Sequence, residues 1–68
     1  MEKKKFGSFI KESRLKKGLT QQELANLLYI DVSAVSKWER QICYPDIFLL
    51  SDLSDLLGIS IDKLLGKE

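Results

Sequence analysis

The sequence predicts an all-α chain of five short helices. Apolar residues recur at helical spacing, and each run is bounded by residues that start or stop helices. No stretch alternates apolar and polar residues as a half-buried strand does. The 68 residues form one domain, which at this size buries about 60% of its unfolded surface. A hydrophobic content of 44% and a charged content of 31% are those of a globular chain, not a disordered one.

Residues 1–5 read as a basic leader, a solvated tail predicted to fray. The domain is predicted to span 6–66. Phe6 and Ile10 share a face at i, i+4 spacing, and Ser13 and Arg14 continue it. This is helix one, to about Lys17. Lys16 and Lys17 complement its negative end and Gly18 stops it. Phe9 lies off the stripe, where it can fill the space beside the small Ser13. An arginine on an inward face requires a partner.

Thr20-Gln21-Gln22-Glu23 is a capping box, so helix two starts at Thr20. Leu24, Leu27 and Leu28 form its stripe, and the small Ala25 admits another helix closely. Gln21 lies in the first turn, beside free amides that suit a phosphate; a solvated first-turn residue is the other reading. Tyr29-Ile30-Asp31 is a tight turn, and Asp31 caps helix three, read as 31–40. At ~100° per residue, Val35, Trp38 and Glu39 share the inward side. Ser33, Ser36, Lys37 and Arg40 share the outward side. Small hydroxyls and long cations without a large hydrocarbon suit a DNA major groove; the alternative is the solvated face of a surface helix. A helix, a turn of about three residues and a second short helix form a helix-turn-helix unit at 20–40.

A loop, Arg40 to Tyr44, leads to Pro45 and Asp46, which start helix four. Its stripe reads Ile47, Leu50, Leu53, Leu56 and Leu57, and Gly58 ends it. Ser60 caps a last helix, Ile61 to Leu65, closed by Gly66.

Several function classes are excluded. Cys43 is the single cysteine and there is no histidine, so an internal disulfide is impossible and a zinc site or Cys–His pair has no basis. Cys43 reads as packing or loop filler in a reducing cytoplasm. No metal, cofactor or catalytic residue is expected. The longest apolar runs, such as Ile47-Phe48-Leu49-Leu50, are too short to span a bilayer, and no signal-peptide pattern is present. Net charge is +1, but unevenly spread: residues 1–17 carry seven cations and two acids, and residues 45–68 carry two cations and five acids. That asymmetry gives one end for phosphates and another turned away from them.

Four stretches together resemble the Cro and phage-repressor (xenobiotic-response-element) type helix-turn-helix family. They are Gly18-Leu19-Thr20-Gln21-Gln22-Glu23-Leu24-Ala25, Val35-Ser36-Lys37-Trp38-Glu39-Arg40, Tyr44-Pro45-Asp46 and Leu57-Gly58-Ile59-Ser60-Ile61-Asp62-Lys63-Leu64-Leu65. The resemblance covers about residues 6–66 without gaps. It implies a compact five-helix, lambda-repressor-like DNA-binding domain. It also implies base contacts from Val32, Ser33, Ser36 and Lys37, and phosphate contacts from Thr20, Gln21, Arg40 and Tyr44. Arg14 and Glu39 are implied as a structural ion pair tying helix one to helix three.

Four positions depart from the family pattern. Tyr29 stands where the family has a glycine with positive φ, which predicts either a cost of ~1 kcal/mol or another turn shape. Ser13 takes a place more often held by leucine. Phe48 and Leu49 replace polar residues, either as extra core or as a self-association surface.

The expected function is sequence-specific binding of double-stranded DNA by a prokaryotic or phage-type transcriptional regulator, of repressor kind. It would act in the cytoplasm as a homodimer on a palindromic operator, with no membrane or small-molecule partner. The alternative is a protein–protein interaction module of antitoxin-like or regulator-sequestering type on the same fold.

Overall fold

Four of the five helices begin at a side-chain cap, and the first, which follows Lys5, does not. The computed structural model describes residues 5–64, arranged as α1 (Phe6–Lys16), α2 (Gln21–Leu28), α3 (Val32–Glu39), α4 (Ile47–Leu57) and α5 (Ile61–Leu64). The N-terminal leader up to Lys4, and Leu65 and Gly66 at the far end, lie outside the described residues.

Thr20 accepts from the Glu23 amide at 3.0 Å and its own amide donates to Glu23 Oε1 at 2.8 Å, so the capping box is complete. Asp31 accepts from the Ser33 amide at 3.3 Å, Asp46 from the Leu49 amide at 2.9 Å, and Ser60 from the Lys63 amide at 3.1 Å. These acceptors satisfy amides that no helical carbonyl can reach. Gly18 and Gly58 take positive φ at the ends of α1 and α4, as C-terminal stops do.

The helices α2 and α3 pack on one another, and α1 packs against α3, α4 and α5. Phe6 and Ile10 of α1 meet Leu24, Ala25 and Leu28 of α2 and Val35 and Trp38 of α3 in one core. Leu53, Leu57 and Leu64 complete it from α4 and α5. Ser13 and Arg14 are buried as the α1 stripe predicts. Ala25 is fully buried, which fits its predicted role of letting helices approach.

Two stripe positions are corrected. Leu27 is 49% exposed and Ile47 is 73% exposed. The inward axis of α2 runs between Leu24, Ala25 and Leu28, which places Leu27 roughly 110° away. In α4 the fully buried Leu53 defines the axis, flanked by Leu49 and Leu57. Ile47 then falls about 120° off it, in the first turn. Phe48 falls on the outer side too and is 79% exposed, whereas Leu49 packs at the core margin. The two readings of that pair therefore divide: Leu49 is extra core and Phe48 is surface. Phe9 packs against the core edge and lines a cleft with Ser13.

The turn between α2 and α3 keeps the left-handed shape. Tyr29 has φ 58° and ψ 41°, and its amide and that of Ile30 bond to Asn26 and Ala25 carbonyls at 3.2 and 3.0 Å. The side chain is 95% exposed, so it offsets none of the cost of this conformation by packing. Tyr29→Gly is expected to raise stability by about 1 kcal/mol, or roughly 4–8 °C in Tm for a chain this size. An unchanged or lower Tm on thermal unfolding contradicts this account of the turn.

Candidate nucleic-acid interface

The outward face of α3 stands on a buried polar anchor. Glu39 sits one position after Trp38, and its side chain is only 5% exposed; that of Arg14 is 8% exposed. Arg14 Nε donates to Glu39 Oε2 at 2.7 Å and Nη2 to Oε1 at 3.2 Å, a bidentate pair. The third guanidinium nitrogen, Nη1, donates to the Leu19 carbonyl at 2.8 Å. Gln21 Nε2 adds a further bond to Glu39 Oε1 at 3.0 Å. One carboxylate thus joins the last turn of α1, the start of α2 and the end of α3. Fixing three elements by charge-assisted bonds orients α3 relative to α2 without help from any ligand.

Around this anchor the predicted contact residues take distinct places. Ser33, Lys37 and Arg40 are exposed, Ser36 is half-buried, and Val32 is half-buried against the core margin. Arg40 curls back so that its Nε reaches the Ser36 carbonyl at 3.4 Å. Thr20 is exposed, but its amide and hydroxyl oxygen both serve the capping box. Among the described residues, the amides of Gln21 and Gln22 meet no acceptor, as first-turn amides do not. The Gln21 side chain is half-buried and engaged with Glu39, a role neither of its sequence readings contained. Tyr44 stacks on Phe6 with ring centroids 4.0 Å apart and remains largely exposed.

The start of α3 carries a fixed negative charge. Asp31 Oδ2 accepts from both the Ser33 hydroxyl and the Ser33 amide. Those bonds, with a smaller contribution from the nearby Lys37 cation, hold the Asp31 carboxyl below its ordinary range.

Two positions that pack behind the candidate face escaped the sequence reading. Gly7 is buried in the first turn of α1, and its amide donates to Gln41 Oε1, 34 residues away. A Cβ on Gly7 would lie 2.6 Å from the Trp38 carbonyl oxygen and 2.7 Å from that of Glu39. Gln41 itself has φ 67°. The last carbonyls of α3 therefore abut the backbone of α1. The one available signal was a glycine inside an otherwise amphipathic helix, which marks a close approach.

The helix-turn-helix family model matches residues 10–64. The chain belongs to the helix-turn-helix family. Among helix-turn-helix proteins it is 38% identical over 63 residues to the transcriptional activator BcrR of Enterococcus faecalis, covering 93% of this chain and 31% of that one. It is 44% identical over 62 residues to the transcriptional regulator ImmR of Bacillus subtilis, covering 91% of this chain and 49% of that one. The chain thus spans less than half the length of both relatives. It also superposes on the P22 c2 repressor solved in complex with synthetic operator 9T, with a TM-score of 0.89 and 31% identity. That match covers 96% of this helix-turn-helix chain and 98% of the repressor chain. The lambda-repressor-like, all-α architecture predicted from the sequence is therefore the observed one. Among the described residues, no helix is long and apolar enough to cross a membrane.

Proposed function

We propose that this helix-turn-helix chain binds double-stranded DNA in a sequence-dependent manner, with α3 in the major groove, as a transcriptional regulator of repressor kind. The observation that carries this reading is the outward face of α3. Ser33, Ser36, Lys37 and Arg40 expose donors and acceptors there, on a helix locked in place by Arg14, Gln21 and Glu39. A locked helix meets base edges without first losing conformational freedom. The operator-bound state of the P22 c2 repressor supports the same mode.

In this reading Val32, Ser33, Ser36 and Lys37 meet base edges. Thr20, Gln21, Arg40 and Tyr44 meet phosphates. At Gln21 the free backbone amide is the better donor, since the side chain is held by Glu39. Val32 suits a thymine methyl and Lys37 suits guanine O6 or N7. One domain makes few phosphate contacts, so useful affinity requires a homodimer on a two-half-site operator. Ile47 and Phe48, both exposed, are the surface for the second copy. Such a regulator works in the cytoplasm and performs no catalysis.

The test is a titration of isotope-labelled protein with a short duplex at low salt, followed through backbone amide shifts. Shifts gathered on Thr20–Gln21, Val32–Lys37 and Arg40–Tyr44 are expected, because phosphate contacts mark the docking face even without a specific site. A silent α3 would overturn the reading and favour a protein partner at Ile47 and Phe48. Once an operator is known, Lys37→Ala should weaken it by roughly 1–3 kcal/mol and relax preference at one base pair. Equal weakening at every sequence, with a shallower salt dependence, would instead make Lys37 a phosphate contact.

A further inference from the structure

We propose that Asp31, held by Ser33, is a base-reading residue: the pair presents hydrogen-bond acceptors to the major groove and selects cytosine, through its N4 amino group, opposite the start of α3. The inference rests on the DNA-binding reading and specifies what one part of that face recognises.

The chemistry follows from where one proton goes. The Ser33 hydroxyl donates to Asp31 Oδ2, and the Ser33 amide donates to the same oxygen. A free serine hydroxyl reads donors and acceptors alike. Here its hydrogen is committed, so Ser33 and Asp31 together offer lone pairs and no donor. Both residues are exposed and lie within one turn of each other. Helix capping does not by itself require the charge, since serine and asparagine cap as well as aspartate. A fixed anion at the leading end of a DNA-facing helix is repelled by phosphates, and its favourable place is against an amino group.

The major groove offers two such groups, adenine N6 and cytosine N4. Adenine N6 lies between two acceptors, its own N7 and thymine O4. Cytosine N4 has an acceptor, guanine O6, on one side only. A carboxylate is thus least opposed on the cytosine side of a C·G pair. Lys37, exposed on the same helix and close enough to lower the Asp31 carboxyl range, supplies the donor that guanine O6 and N7 require.

The test is operator selection from random duplexes with the wild-type chain and with Asp31→Asn. Asparagine keeps the cap, so Asp31→Asn should melt near the wild type, but its amide carries a donor as well as an acceptor and suits adenine. The wild type is expected to enrich cytosine at one position per half-site. Exchanging that cytosine for thymine should lower its affinity about 5- to 150-fold. Asp31→Asn should lose this preference, with adenine rising at the same position. If the wild type selects a defined operator and Asp31→Asn keeps the same preference at every position, Asp31 is a cap alone and DNA binding stands without it. If the wild type selects no operator, the base-reading role and the DNA-binding reading fall together.

Discussion

Glu39→Ala is expected to destabilise the fold by about 3–5 kcal/mol, the cost of leaving a buried charge without its partner. The stranded group would be Arg14, whose side chain is 8% exposed and whose Nε and Nη2 both point at the missing carboxylate. Gln21 would lose its acceptor as well. Against a total stability of about 5–15 kcal/mol for a single domain, the variant should be largely unfolded well below the wild-type Tm. Lys37→Ala, at an exposed position of the same helix, should change stability by no more than about 0.5 kcal/mol. Thermal or urea unfolding followed by circular dichroism compares the two, and equal midpoints would refute the anchoring role of Glu39. Glu39→Gln should fall between them, since it keeps an acceptor while removing the charge.

Gly7→Ala should also destabilise, against the usual sign of that exchange. Within a helix, alanine is favoured over glycine by roughly 0.5–1 kcal/mol. At Gly7 the added methyl would sit 2.5 Å from Gln41 Oε1, 2.6 Å from the Trp38 carbonyl and 2.7 Å from that of Glu39. A side-chain amide can rotate away, but two backbone carbonyls at the end of α3 cannot move without shifting the helix. Overpacking of this kind costs about 1–3 kcal/mol, and the bond from the Gly7 amide to Gln41 would be lost with it. A net loss of roughly 1–2 kcal/mol corresponds to about 4–16 °C in Tm. A Tm at or above that of the wild type would mean that α1 and α3 are not in backbone contact. Because the displaced group is the end of α3, the same substitution should weaken the proposed DNA binding more than its stability cost explains.

What the residues revealed in advance was mostly local. Thr20, Asp31, Asp46 and Ser60 stand within three residues of the amides they satisfy, so spacing alone places four helix starts. The inward face of α3 was legible for the same reason, since three residues on one short helix need no knowledge of the rest of the fold. Burial on α2 and α4 was harder to read. Leu27 and Ile47 keep proper helical spacing with core residues, but spacing does not say which edge of a broad apolar stripe meets its neighbour. The long-range anchor divides in the same way. Arg14 announced itself as an inward charge, and family resemblance supplied Glu39. The link from Gln21 and the contact of Gly7 with Gln41 join positions 18 and 34 residues apart, where no local rule operates. Tyr29 had two possible outcomes, and the hydrogen bonds closing the turn determined which one holds.

The burial of Leu64 bears on how the protein is made. This residue is fully buried, and its short helix packs against both α1 and α4. A ribosome delivers the chain from its N-terminus at about 5–20 residues per second. The apolar side of α1, with Phe6 and Ile10, is therefore synthesised before Leu64, which among the described residues is the last in the core and emerges some fifty residues later, after a delay of roughly 3–10 seconds. During that interval the capped helices can form and unform locally, but the core they share is incomplete. The core of the described residues closes only after α5 has left the exit tunnel.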